Sequence, residues 1–516
     1  MPQWLEDAVF YEIYPQSFYD TNGDGIGDIK GIIQKLDYIR ELGCNALWIN
    51  PCFDSPFKDA GYDVRDYKKV APRYGTNEDL VLLFKETHKK GVHVLLDLVP
   101  GHTSEEHAWF TESKKAEPNE YRNRYIWTDN WITWGVEGMR FIAGEAERNG
   151  SYVINFFKCQ PALNFGFLNP TAPWQLPVDH PDSIATREAL KDIIRFWLDR
   201  GADGFRVDMA DSLVKNDDGQ KSATSAVWRN IRAMLDADYP EAVLVSEWSN
   251  PPQALHAGFH ADFLLDHDGR GYKTLLRDYT LDGEGRPVND NSFFKKDANA
   301  DIRRFLDNYL PWYEETKNTG FISLITGNHD TCRLGFTLTR TELALAYAVL
   351  FTLPGVPFLY YGDEIGMRYL NVKSREGGYT RTGSRTPMPW TEGKNKGFSA
   401  APPDKLYLPV DAEEGAPSVE AQEKEPDSLL NTVKALLRLR NTEGDLRGKP
   451  NLEILHADSL PFIYRRGSLL LAVNPGGNRA AARVSLSGET IYAIGQGSLE
   501  NGLCALEGQS FAVWRI

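Results

Sequence analysis

Eight short apolar runs, separated by stretches of helical periodicity, constrain this chain more than any other feature. They read AVFYEIYP from Ala8, ALWINP from Ala46, HVLLDLVP from His93, GFRVDM from Gly204, AVLVSEW from Ala242, ADFLLDH from Ala261, FISLITGNHD from Phe321 and PFLYYGDE from Pro357. Each is rich in β-branched or aromatic residues and lacks alternating polarity, the pattern of strands buried on both faces of a parallel sheet. Between them lie segments such as IKGIIQKLDYIRELG from Ile29, NEDLVLLFKETHKKG from Asn77 and REALKDIIRFWLDRG from Arg187. Each of these ends in Gly, where a helix takes a left-handed cap. Strands alternating with helices imply βαβ units, and eight of them predict an α/β fold closed as a (β/α)₈ TIM barrel rather than an open sheet.

A chain of 516 residues, 42% of them hydrophobic, is long enough for one large domain and one or two smaller ones. The net charge of −15, from 72 acidic and 57 basic residues, argues against a nucleic-acid partner, because an acidic surface repels phosphate backbones. No window has the ~18–20 apolar residues of a membrane helix, and the start MPQWLEDAVF lacks the pattern of a signal peptide. The five cysteines are scattered without CxxC spacing, which predicts free thiols in a reducing compartment and hence a cytoplasmic protein. The sequence leaves the oligomeric state open.

Two intervals break the rhythm. Residues 103–180 are too long for a plain βα loop and are rich in Trp, Asn, Gly and Pro, which predicts an inserted domain. Residues 366–427 carry Gly, Pro and charge and form a smaller excursion from the barrel, which is expected over 1–102 and 181–443. A helix near Ser428–Glu443 precedes short alternating strands such as PFIYRR and LLLAVN, so 444–516 reads as a small antiparallel β-sandwich domain.

In a parallel barrel the chemistry sits at the C-terminal ends of the strands. There the sequence places Asp97 with His102, Arg206 with Asp208, Glu247, His329 with Asp330, and Asp363 with Glu364. One acidic residue at a strand end is usually a cap or a solvated loop residue. A set converging on one mouth is not explained that way.

The segments DLVPGH, GFRVDMA, SEW, GNHD and GVPFLYYGDE, in this order, resemble the signature regions of the α-amylase superfamily, glycoside hydrolase family 13. DAGYD (Asp59–Asp63), QPALN (Gln160–Asn164) and SRTPMPW (Ser384–Trp390) are similar to the oligo-1,6-glucosidase and α-glucosidase branch. The resemblance implies a retaining, exo-acting hydrolase of short α-glucans, with oligosaccharide as its partner. It implies Asp208 as nucleophile, Glu247 as general acid/base, and Asp330 as the carboxylate that holds and distorts the sugar. In such enzymes the two reacting carboxyls stand about 5–5.5 Å apart. Arg206, two residues before the nucleophile on one strand, is expected to keep Asp208 ionised. Glu247 is expected to have a raised pKa. The resemblance further implies sugar contacts from His102 and His329, a stacking platform at Tyr62, and an Asp59–Arg385 ion pair that closes the far end of the first subsite.

The loop DTNGDGIGD presents oxygen ligands at alternating positions, Asp20, Asn22, Asp24, the Ile26 carbonyl and Asp28, with Gly25 at the turn. That spacing matches a calcium loop, and the family holds a structural Ca²⁺ in a similar one. Position twelve is Gly31 rather than Glu, so this is not an EF-hand.

Met209 follows the nucleophile, where the branch carries Val for α-1,6 cleavage and a smaller or polar residue for α-1,4. Pro389 stands where Gln is usual, and 141–157 also departs from the branch. The linkage therefore stays open, as do an endo-acting amylase and a glucosyltransferase or isomerase on the same intermediate. A non-catalytic binding subunit is the alternative of another class, and the complete catalytic set argues against it.

Overall fold

The computed structural model describes residues 1–516 apart from 133–137, 268, 270, 284, 300, 377–380 and 449. The eight expected runs form the eight strands of one parallel sheet: β1 (Phe10–Ile13), β2 (Ala46–Ile49), β3 (His93–Leu98), β4 (Gly204–Val207), β5 (Val243–Ser246), β6 (Ala261–Leu264), β7 (Phe321–Leu324) and β8 (Phe358–Tyr360). Neighbours in the sheet are neighbours in sequence, and β8 returns to pair with β1. A parallel bridge from Ile325 to Phe358 closes the ring between β7 and β8. The barrel is thus a TIM barrel, its strands almost wholly buried.

The start of β4 depends on Gly204. Its φ is +145°, and a Cβ there would lie 2.0 Å from the Val243 carbonyl oxygen. Only glycine lets the strand that leads to Asp208 pair with the strand that leads to Glu247.

Helices pack outside. Asn77–Lys89 starts in a capping box between Thr76 and Asp79, and Arg340–Thr352 in one between Thr339 and Glu342. Apart from its first two residues, Arg340–Thr352 is buried all round, because it runs between the barrel and the C-terminal helix Leu429–Thr442. The expected single helix after β1 is instead two, Ile29–Gln34 and Leu36–Leu42, broken at Lys35, where φ and ψ are −102° and 7°.

The insert after β3 folds as a helix (Ala108–Ser113), a hairpin of Arg140–Ala143 with Ser151–Ile154, and a small apolar cluster of Ile126, Val153, Ala162 and Phe167. Its return segment pairs back onto the barrel mouth through His102 with Ala162. Beyond Leu452 the chain forms a five-stranded and a three-stranded antiparallel sheet, in which Phe462–Arg466 pairs with Leu469–Asn474. No described helix is long and apolar enough to cross a membrane. All five cysteines are free; Cys44, Cys52 and Cys504 are buried, Cys159 and Cys332 half-buried.

Candidate active site

The polar floor of the site is built inside the barrel, one residue per strand. Trp48 on β2 donates its indole N–H to Asp97 on β3 (3.0 Å), and Asp97 accepts from Arg206 on β4 (3.0 Å). Arg206 is buried, its guanidinium 4.8 Å above the Trp48 ring. From there Nη1 reaches Asp208 (3.1 Å) and Nη2 reaches Glu247 (2.8 Å). One cation thus holds three carboxylates, which is the arrangement that lets acidic groups share a low-dielectric site.

Asp208 stands one residue past β4 and Glu247 one past β5. Their backbones are pinned together: Glu247 N donates to Val207 O (3.0 Å) and Ala210 N to Glu247 O (3.1 Å). Met209, in left-handed conformation at φ 41°, turns its N–H onto Glu247 Oε2 (3.1 Å). The two carboxyls are brought to one place by Arg206, which bonds both. Burial pushes Asp208 well above the ordinary carboxylate range, the Glu247 charge adds to this, and Arg206 opposes it. Arg206, expected to keep Asp208 ionised, is divided among three carboxylates, and its pull on Asp208 toward the charged form works against burial.

Above this floor a cavity of about 300 Å³ is lined by Asp59, Tyr62, His102, Phe156, Phe157, Asp208, Met209, Glu247, Asp330 and Arg381. Tyr62 shows its ring to the cavity and stacks behind on His329, centroids 5.2 Å apart and 12° from parallel. Its hydroxyl donates to Asp97 (3.0 Å) and meets His329 Nε2 at 2.7 Å. His102 lines the cavity with both nitrogens engaged, Nε2 with the Tyr62 carbonyl (2.9 Å) and Nδ1 with the Asn155 amide (3.1 Å). Burial pushes its pKa down to about 4, so the ring is neutral at pH 7.

His329 is not in the cavity wall, contrary to its expected sugar contact. It is buried behind Tyr62, with Nδ1 3.0 Å from Glu12 of β1 and Nε2 3.3 Å from Asp330. Burial opposes its charge, but Asp330 and Glu12 outweigh that and raise its pKa to about 9. Asp330 is held well below the usual carboxylate range; burial works against this, and His329, Arg381 and Arg385 overcome it. A raised histidine pKa gives an interaction fully present below the free value near 6.5 and lost as pH rises through about 9. We expect the melting temperature to lose this contribution as pH rises through about 9, and Glu12→Gln, which removes one of the two carboxylates, to move that loss to lower pH. A pH dependence of melting that Glu12→Gln leaves in place removes the His329 assignment.

The expected Asp59–Arg385 pair does not form. Asp59 instead bonds Arg381 through one oxygen and Gln160 through the other (2.7 Å). Arg381 also reaches Asp330 (2.7 Å). Arg385 is fully buried and binds Asp330 (2.8 Å), Glu376 (2.8 Å) and the His329 carbonyl (2.8 Å). The cause is Glu376, which Tyr14 (3.0 Å), Gln16 (2.7 Å) and Tyr407 (3.2 Å) fix beneath the loop. That anchor draws Arg385 inward and leaves Arg381, four residues earlier, to bridge the two acids across the cavity. Arg381, Gln160, Phe156 and Phe157 carried no assigned role in the sequence reading; the tandem arginines of RTGSR were the one available signal.

The family profile for the α-amylase catalytic domain matches residues 12–448. The chain belongs to the α-amylase family. Among curated relatives it is 34% identical over 472 residues to a trehalose synthase/amylase TreS of Mycolicibacterium smegmatis, covering 85% of this chain and 76% of that protein. It is 31% identical over 533 residues to an oligo-1,6-glucosidase of Heyndrickxia coagulans, covering 90% and 89%. Among solved structures, the α-glucosyl transfer enzyme XgtA superposes with a TM-score of 0.80 at 28% identity over all of both chains. As an α-amylase family member with α-glucosidase relatives, the protein is a glycosidase.

The Asp20–Asp28 loop offers hard oxygens but turns them on itself. Asp20 accepts from the Gly23 (2.8 Å) and Gly25 (2.8 Å) amides and from Ser399 Oγ (2.5 Å). Asp24 accepts from Ile26 N (2.9 Å), and Asp28 from Thr21 N (2.9 Å) and Gly31 N (2.7 Å). Among the described residues no three acidic, His or Cys side chains converge as a metal cage. The donor chemistry fits a hard cation, and convergence requires the exposed Asn22 and Asp24 to turn onto the ion.

Proposed function

We propose that this protein is a retaining, exo-acting α-glucosidase that releases glucose from the non-reducing ends of short α-glucans. The observation that carries the reading is the Asp59–Arg381–Asp330 bridge across a cavity of only about 300 Å³, at the small end of ligand sites. A bridge of paired charges blocks a chain from threading through, so only a chain end enters. Glu247 gives its proton to the glycosidic oxygen as the bond to C1 breaks, and Asp208 closes on C1 to form a glucosyl ester. Glu247 then takes a proton from water as the water oxygen bonds C1 and Asp208 leaves. Asp330, ionised and held by two arginines, receives sugar hydroxyls, and Tyr62 offers its ring to a pyranose face.

A second reading, glucosyl transfer on the same intermediate, is favoured by Phe156, Phe157 and Met209, which give the cavity an apolar part where a sugar or alcohol acceptor competes with water. Relatives named for trehalose synthesis and α-glucosyl transfer point the same way. Incubation with maltotriose, isomaltotriose, maltoheptaose, maltose and trehalose separates the readings. Early glucose from the trisaccharides supports the exo-hydrolase, with the preferred one fixing the linkage. Transfer products or trehalose from maltose support the second. Early mixed oligosaccharides from maltoheptaose mean an endo enzyme, and the closed-pocket reading falls.

We also propose that the Asp20–Asp28 loop takes a structural Ca²⁺, because its donors are carboxylate, amide and carbonyl oxygens at alternating positions. Millimolar Ca²⁺ should raise the melting temperature of chelator-treated protein by several degrees, as binding to the folded state alone does. Equal melting curves with and without Ca²⁺ would remove the site.

A further inference from the structure

The turn that follows Glu247 is held from the next strand. Asp262 on β6 is the register partner of Ser246, the last residue of β5. It is fully buried and does not line the cavity. Its Oδ1 accepts from Ser246 Oγ (2.7 Å) and from Trp248 N (3.1 Å), and its Oδ2 accepts from Asn250 N (2.8 Å). The residue between those two amides, Ser249, is buried and left-handed at φ 55°, a conformation that side-chain-bearing residues adopt only when their surroundings impose it. Ser249 Oγ in turn accepts from Leu265 N (3.2 Å), just beyond β6.

Glu247 therefore sits between two clamps. On one side its backbone is tied to Val207 and Ala210 of the nucleophile segment. On the other, one buried carboxylate gathers the hydroxyl before it and two amides after it. Among the described residues the hydrogen-bond partners of the Asp262 carboxylate lie in the Ser246–Asn250 segment, and a buried carboxylate is costly unless it does such work for its neighbours.

We propose that Asp262 is a positioning residue that fixes the aim of Glu247 at the glycosidic oxygen. The proposal rests on Glu247 being the general acid of an α-glucosidase. Asp262→Asn keeps the shape but turns an amide N–H₂ toward one of the gathered donors, so the turn must re-form and Glu247 loses its aim. Proton delivery matters only when the leaving group needs a proton. A sugar leaves as a neutral alcohol and takes the proton of Glu247; fluoride leaves as the anion and takes none.

Purified Asp262→Asn should lower kcat/KM for maltotriose about 30-fold while lowering that for α-glucosyl fluoride less than about 3-fold, the span expected of a misplaced general acid. Azide should raise the kcat of the variant on α-glucosyl fluoride, since it bonds C1 and displaces Asp208 without giving up a proton. Glu247→Gln serves as the control and should show the same split, larger. An equal loss on both substrates, or no loss on either, overturns the positioning role. If Glu247→Gln itself shows no split, the reading of Glu247 as general acid falls and this proposal falls with it, whereas a split in Glu247→Gln without one in Asp262→Asn overturns this proposal alone. Should Asp262→Asn not fold, Asp262→Glu, which keeps the charge but displaces it by one methylene, must give the same split.

Discussion

Asp208→Asn should lower kcat on maltotriose by at least about 10⁴-fold, the scale on which loss of a covalent nucleophile is felt, and should leave the melting temperature equal or higher. Both halves follow from the same contacts. The amide cannot attack C1, so the glucosyl ester does not form. The wild-type carboxylate is destabilised by burial, and Arg206 keeps Asp97 and Glu247 as partners when Asp208 is replaced. A site that holds such a buried carboxylate relaxes when an amide takes its place. An activity loss accompanied by a large fall in melting temperature would mean that Asp208 matters for the fold rather than for the reaction.

The two arginines of the RTGSR segment should separate cleanly. Arg381→Ala removes the bridge between Asp59 and Asp330 at the cavity wall. Among the described residues it leaves Gln160 as the hydrogen-bond partner of the buried Asp59 carboxylate, a break that costs about 3–5 kcal/mol when a pair is fully dry and less at a cavity. We expect kcat/KM on maltotriose to fall about 100-fold, and maltoheptaose to yield internal products, because chains then pass the opened end. Arg385→Ala acts on stability instead. Its guanidinium is fully buried and ties Glu376 to Asp330, so its loss strands the Glu376 carboxylate beneath the loop. A melting temperature several degrees lower, with the product pattern unchanged among surviving molecules, is the expected result. Internal cleavage by Arg385→Ala and not by Arg381→Ala would restore the Asp59–Arg385 pairing.

That pair also shows where the sequence stops being legible. The barrel could be read because each strand is a local apolar run and each reacting residue stands at or just past a strand end, so one-dimensional order maps directly onto the mouth. Asp208 and Glu247 are placed by that mapping alone. The partner of Asp59 is not, since Arg381 and Arg385 differ by four positions in an irregular loop. The choice between them is made by Glu376 with Tyr14, Gln16 and Tyr407, residues that lie far apart in the chain. His329 was misplaced for a similar reason. Its motif marks it as part of the mouth, but only the stacked Tyr62 ring shows that it works from behind. The break at Lys35 leaves no Gly or Pro to announce it. Asp262 passes unnoticed in the run ADFLLDH, where a strand acid facing a neighbouring turn looks like any other.

In the proposed mechanism Asp208 carries the sugar between two half-reactions. Brief reaction with 5-fluoro-α-glucosyl fluoride, whose fluorine slows both steps while fluoride departs readily, should accumulate the glucosyl enzyme. Digestion and mass spectrometry should then find one fluoroglucosyl group on the peptide containing Gly204–Ala210, esterified at Asp208, and none on the Asp208→Asn protein. Enzyme that turns the reagent over without a labelled Asp208, or that carries the label on another carboxylate, would contradict the account.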